Sequence, residues 1–162
     1  MSFFVQKHSG IITLDTRKII SVRYKTVTKA INKEFWNISS ETQNSIYVGS
    51  YGRRTAINTS DLDVLVLLPE SEYNRFDSLK GNGQSRLLQA VKCAIMNSYP
   101  RSDVRADGQV VKISFSDGMK FEVLPAFQSK DRWGIGMEHT NILIPIWEVI
   151  GALLILKRNK KQ

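Results

Sequence analysis

Between Val48 and Leu68 the chain reads VGSYGRRTAINTSDLDVLVLL, and this run constrains the fold more than any other feature. Two aspartates, Asp61 and Asp63, stand at the head of a stretch that is otherwise Val and Leu until Pro69 ends it. Side chains at i and i+2 of a strand share a face, so the two carboxylates point the same way. The apolar remainder implies cover on both faces, hence an interior strand. Eleven residues before the acids lies a Gly-Ser turn after a short apolar lead. Gly49 lacks a Cβ and lets backbone N–H groups approach a phosphate, and the Ser50 hydroxyl can donate to the same oxygens. Paired carboxylates repel unless neutralised, and a hard divalent cation bridging to phosphate neutralises them. Taken singly, Gly-Ser is ordinarily a turn and Asp-x-Asp a solvated strand end. Their order and spacing point to a nucleoside triphosphate with its metal.

At 162 residues, 42% apolar and 23% charged, the chain has the length and composition of one folded domain. The net charge of +8 and a pI near 9.7 favour polyanionic partners without selecting one, because the basic residues are scattered except at Lys157, Arg158, Lys160 and Lys161. A lone Cys93 excludes an internal disulfide, fits a reducing cytoplasm and is expected to fill the core of a helix. His8 and His139 are too isolated for a histidine metal site, and no secretory signal opens the chain.

Thr13 or Asp15 caps an expected helix running to about Asn37, with Ile20, Tyr24, Val27, Ile31 and Phe35 forming its apolar stripe. Its lysines and Arg23 occupy the other faces, either solvated or as a nucleic-acid-binding spine. Ile46–Val48 reads as a strand, residues 70–83 as a polar loop, and Ser85–Ser98 as a second amphipathic helix. Val110–Phe115 and Phe121–Phe127 flank a Ser-Asp-Gly turn and predict a β-hairpin. Within FEVLPAF, Glu122 faces away from Phe121 and Val123. It is either a solvated residue of an edge strand or a third carboxylate of the site.

GSYGRRTAINTSDLDVLVLLP followed by FEVLPAF resembles the polymerase-β-like nucleotidyltransferases. More narrowly, it is similar to bacterial CD-NTases with a SMODS-type domain, relatives of cyclic GMP–AMP synthase and oligoadenylate synthase. The resemblance covers roughly residues 10–127. It implies an α/β (α+β) palm, a mixed sheet with a long N-terminal helix packed on it. It further implies that Asp61, Asp63 and Glu122 are the catalytic metal ligands for two Mg2+ ions, with Mn2+ as a substitute. Gly49 and Ser50 match the phosphate-gripping turn, and Arg53 stands where a basic residue reaches the triphosphate. The implied activity is ATP-binding, magnesium-dependent synthesis of cyclic or linear oligonucleotide second messengers from nucleoside triphosphates. The implied setting is cytoplasmic antiviral defence, with no membrane, where a downstream effector recognises the product rather than this chain.

The expectation for organisation is a partial nucleotidyltransferase core over residues 1–127 and a divergent tail over 128–162. In that tail the rest of the core and the C-terminal helical domain are replaced by ILIPIWEVIGALLIL and KRNKKQ. The apolar run is shorter than the roughly 20 residues of a spanning helix and contains Pro145 and Glu148. The family continues with a pattern such as YPDTN-x-GGSW. Regrouping the codons of Ile142–Gly151 by one base permits PDTNMGGHW, and regrouping Met137–Glu138 or Trp147–Glu148 forces Gly. A frameshift between Gln128 and Gly136 accounts for this. Such a chain is expected to be marginally stable, aggregation-prone and weakly active or inactive. Two other readings remain: a small nucleotidyltransferase that modifies a protein or RNA, and a non-catalytic module that holds nucleic acid by its charge.

Overall fold

The computed structural model describes residues 12–52, 61–79 and 81–127. Helix α1 spans Leu14–Ile31, and Thr13 caps it by accepting from the Thr16 N–H. It ends in a π-helical turn, Asn32–Trp36, closed by Asn37 in the left-handed conformation. Then follow β1 (Ser45–Val48), a four-residue helical turn α2 (Gly49–Gly52), β2 (Asp61–Leu68), α3 (Glu70–Asp77) and α4 (Gly83–Ser98). The described residues end with β3 (Asp103–Asp107), β4 (Val110–Ser114) and β5 (Lys120–Phe127).

The five strands form one mixed sheet in the order β1-β2-β5-β4-β3, in which β2 and β5 are parallel and the other pairs antiparallel. Period-two alternation divides the sheet cleanly. Leu62, Val64, Val66, Phe121, Val123, Val111 and Ile113 join Ile20, Val27 and Ile31 of α1 and Leu87, Val91 and Ile95 of α4 in the main core. On the other face Val48, Leu65, Leu124 and Ala126 make a smaller apolar cluster. The expected stripe on α1 is therefore the buried one, with Tyr24 and Phe35 half-buried beside it.

Polar contacts fix where β1 begins. The buried Thr28 hydroxyl meets Ser45 Oγ at 2.8 Å, and Tyr24 donates to the Ser45 carbonyl at 2.8 Å. Asn32 Nδ2 donates to the carbonyls of Ser40 and Gln43, while its Oδ1 accepts from Asn44 Nδ2. Asn32 thus satisfies a loop that would otherwise carry unpaired backbone groups.

A second tie runs from α1 to the hairpin turn before β5. Arg23 pairs with Asp117 at 2.8 Å and lies over the Phe115 ring at 3.9 Å, and Gly118 makes the turn with φ +89°. The hydrogen bond from Arg23 holds the Asp117 carboxyl below its ordinary range. A depressed folded-state value means that this stabilisation is present at neutral pH and is lost as pH falls through that value. Because Asp117 is largely exposed, water screens the pair. Asp117→Asn should cost less than about 1 kcal/mol in denaturant titrations at pH 7, a difference that closes toward pH 3.

Three expectations change. Residues 70–77 are helical rather than loop. Pro69 leads into a segment with acids in its first turn, Arg75 in its last, and Phe76 buried. Cys93 is exposed, not in the core. Leu87, Leu88, Val91, Ala94 and Ile95 take the buried stripe of α4, and at 100° per residue position 93 lies opposite Val91. Asp103–Asp107, of which only Val104 stood out in the sequence, is an edge strand. Its exposed Asp, Arg and Asp side chains guard that edge against pairing with another chain. Arg53, His8, His139 and the tail from residue 128 lie outside the described residues. Among the described residues no helix is long and apolar enough to cross a membrane.

Candidate active site

One row of residues crosses the sheet from edge to edge. Val48 of β1 pairs with Asp63 of β2, Asp63 with Glu122 of β5, Glu122 with Lys112 of β4, and Lys112 with Arg105 of β3. Neighbouring strands lie about 4.8 Å apart, so adjacent members of the row are close neighbours. Asp61 is on the same face as Asp63, two residues back along β2 and opposite Lys120. The structure thus brings Glu122 onto the strand beside Asp61 and Asp63, although it lies far from them in sequence. Glu122 is not on an edge strand, since β5 lies between β2 and β4.

Their surroundings differ. Asp63 is 3% exposed, Glu122 half-buried and Asp61 exposed. The smaller apolar cluster begins just beyond them, with Leu65 and Leu124 next on this face. Such a floor lowers the local dielectric and strengthens charge interactions above it. Among the described residues no group of three or more His, Cys, Asp or Glu is gathered closely enough to hold a metal ion as the side chains stand. The three side chains are nonetheless all carboxylates, the donor chemistry that magnesium prefers, and they share one face of two neighbouring strands.

Pro125 fits this strand because β4 ends opposite Val123. Beyond that point β5 pairs through β2 alone, where a proline breaks at most one ladder.

The Gly-Ser turn follows Val48, so it flanks Asp63 on the side opposite Glu122. Gly49 adopts φ +69°, as expected of a residue that must turn the backbone sharply out of β1. The turn has an aromatic base: Tyr51 meets Tyr47 edge-on at 4.8 Å, and Tyr47 stacks on Tyr24 of α1 at 4.1 Å. Burial first, then Tyr51 and Tyr24, push the Tyr47 phenol far up, so it stays neutral and acts as packing. Gly49→Ala imposes a left-handed alanine, which costs about 1–2 kcal/mol of stability and moves the turn. It should weaken nucleoside triphosphate binding at least about tenfold while far-UV circular dichroism is retained.

On the other flank are two cations the sequence reading did not single out. Lys112 Nζ is 2.6 Å from Asp107 Oδ2, and Arg105 Nε is 2.9 Å from Asp103 Oδ1. The signal that marks Glu122 also marks Lys112, a charge alternating with Val111 and Ile113 in VVKIS. What the sequence lacks is the register that sets it beside Glu122.

Residues 4–144 match the family described as the Second Messenger Oligonucleotide or Dinucleotide Synthetase domain (SMODS). No curated protein gives a significant match. Among solved structures the chain is similar to CdnC in the Escherichia coli MS115-1 CdnC:HORMA-deltaN complex. That match has a TM-score of 0.51 and 15% identity, over 91% of this chain and 46% of that one. The Rhodothermus marinus CdnE c-UMP-AMP synthase with Apcpp and Upnpp matches at TM-score 0.45 and 20% identity, over 76% and 45%. Terminal uridylyl transferase 4 from Trypanosoma brucei with bound UTP matches at 0.46 and 15%, over 68% and 30%. The chain spans less than half the length of each. The fold is that of the polymerase-β-like nucleotidyltransferases, and the chain belongs to the SMODS family of second-messenger oligonucleotide and dinucleotide synthetase domains.

Proposed function

We propose that this domain is the magnesium-binding core of a nucleotidyltransferase that joins nucleoside triphosphates into cyclic or linear oligonucleotide messengers, which a separate antiviral effector then recognises. The observation that carries it is the pairing of Asp63 with Glu122, beside Asp61 and one strand away from Gly49. Asp61, Asp63 and Glu122 would hold the metal. Bound there, divalent ions lower the pKa of the attacking ribose hydroxyl and neutralise charge on the phosphates. The chain's own part is orientation. The backbone at Gly49 and the Ser50 hydroxyl grip the triphosphate, with Arg53 as a further phosphate contact. The fixed β2–β5 register sets the acids against it, and the apolar floor excludes water.

The tail bears on activity. We read residues 128–162 as out of frame; the family match to residue 144 runs into this segment and is the observation that this reading must accommodate. Sequencing the coding DNA past Phe127 tests it: an open alternative frame that encodes the family's continuation supports it, and a closed one removes it.

The function is tested with magnesium and α-labelled nucleoside triphosphates, using this chain and a frame-restored version. Magnesium-dependent nucleotide binding by both, with labelled small oligonucleotide from the restored one, is the expected result. Label on protein or RNA would select the macromolecule-modifying alternative. Salt-sensitive nucleic-acid binding that is indifferent to Asp61→Ala would select the non-catalytic one.

A further inference from the structure

Lys112 lies between two possible partners. Its cross-strand neighbour in the β4–β5 ladder is Glu122, and on the same face Asp107 lies diagonally across on β3. Either pairing is within reach of a flexible lysine. The ion pair it makes is with Asp107, at 2.6 Å, toward the β3–β4 turn and away from the acids. Glu122 and Asp61 still act on the ammonium, though less than Asp107 does. The neighbouring cation, Arg105, is likewise held by an aspartate of the same edge strand, Asp103. An ammonium resting on Glu122 would compete directly with a divalent cation for the carboxylate.

We propose that Asp107 is a positioning residue for the acidic site, parking the Lys112 ammonium off Glu122 so that the carboxylate stays open to a divalent metal. This rests on the metal-binding reading of Asp61, Asp63 and Glu122. Without Asp107 the lysine falls back on its cross-strand partner as an internal counter-ion. The geometry also explains why a lysine is tolerated here: it lowers repulsion across the row while its charge is held at a distance.

The test is Mn2+ binding to the full chain, followed by electron paramagnetic resonance of the free ion. Asp107→Asn should weaken binding about three- to fivefold, the upper end of the scale for one exposed charge contact. Lys112→Met should bind as tightly as the native chain or tighter. The double variant should return to within about twofold of Lys112→Met. That rescue separates positioning from a structural role or from simple loss of a distant negative charge, which Lys112→Met would not repair. Unchanged binding in Asp107→Asn, weaker binding in Lys112→Met, or a double variant as weak as Asp107→Asn each overturns the proposal. Native binding that Asp63→Asn leaves intact is a different failure, because it removes the metal reading beneath it.

Discussion

Asp63→Asn should reduce Mn2+ binding by at least about a hundredfold, and messenger synthesis by a frame-restored chain by about a thousandfold. Asp63 is 3% exposed and sits between Val48 on one side and Glu122 on the other. It is therefore the acid that neighbours both Glu122 and the strand leading into the Gly-Ser turn. A carboxylate about 4 Å from a cation in a partly screened site contributes on the order of 4 kcal/mol per unit charge, and each 1.4 kcal/mol is tenfold in binding. The amide keeps the shape and removes the charge, so the chain should unfold within a few degrees of the native one. The measurements are the Mn2+ isotherm and a single-turnover assay with labelled triphosphates. Metal affinity within threefold of native, in a variant that melts normally, would falsify the assignment of Asp63.

Phe121→Ala should remove about 3–5 kcal/mol of stability in urea titrations. Phe121 is fully buried and meets Phe115 edge-on at 5.6 Å. It lies beside Glu122 but points to the opposite face, into the helix layer. The cavity so made would sit beneath the first half of β5, the segment that carries Glu122. A domain of this size has about 5–15 kcal/mol in total, so the variant should be partly unfolded near physiological temperature. Phe121→Leu, which keeps much of the volume, should recover most of the loss. A loss under about 1 kcal/mol for alanine would mean that β5 is not the packed interior strand described.

The two expectations separate cleanly because they act on opposite faces of one strand. Asp63→Asn changes binding and leaves the fold, whereas Phe121→Ala changes the fold and takes binding with it. Asp117→Asn offers a third contrast, since it loosens the hairpin turn from α1 without touching either face of β5.

Much of this was legible locally. The continuous apolar run of β2, the i, i+3, i+4 stripe of α1 and the Ser-Asp-Gly turn each follow from one period or one turn chemistry, which neighbouring residues fix among themselves. The short helix α3 escaped because ESEYNRFD is mostly polar, and only Tyr73 and Phe76 face the core. Its helical state depends on Pro69 and on the packing of Phe76, not on a strong pattern. Cys93 was misplaced for a related reason. It sits among apolar neighbours in sequence, but the buried stripe of α4 is defined by angle around the helix.

Local pattern sufficed for the inventory: a Gly-Ser turn, an acid pair heading an interior strand, and a carboxylate alternating with core residues in a later strand. Side-chain alternation in strands is local, so it also determined which face Glu122 takes relative to Phe121 and Val123. What those faces meet depends on how the strands assemble. The parallel β2–β5 pairing, which sets Asp63 against Glu122, comes from a crossover through α3, α4, β3 and β4, and no spacing along the chain encodes its register. The same holds for Lys112, whose neighbours Glu122 and Asp107 are chosen by two ladders at once. Register is settled by burying the apolar face of every strand together, a condition on the whole sheet that no single segment can satisfy or reveal.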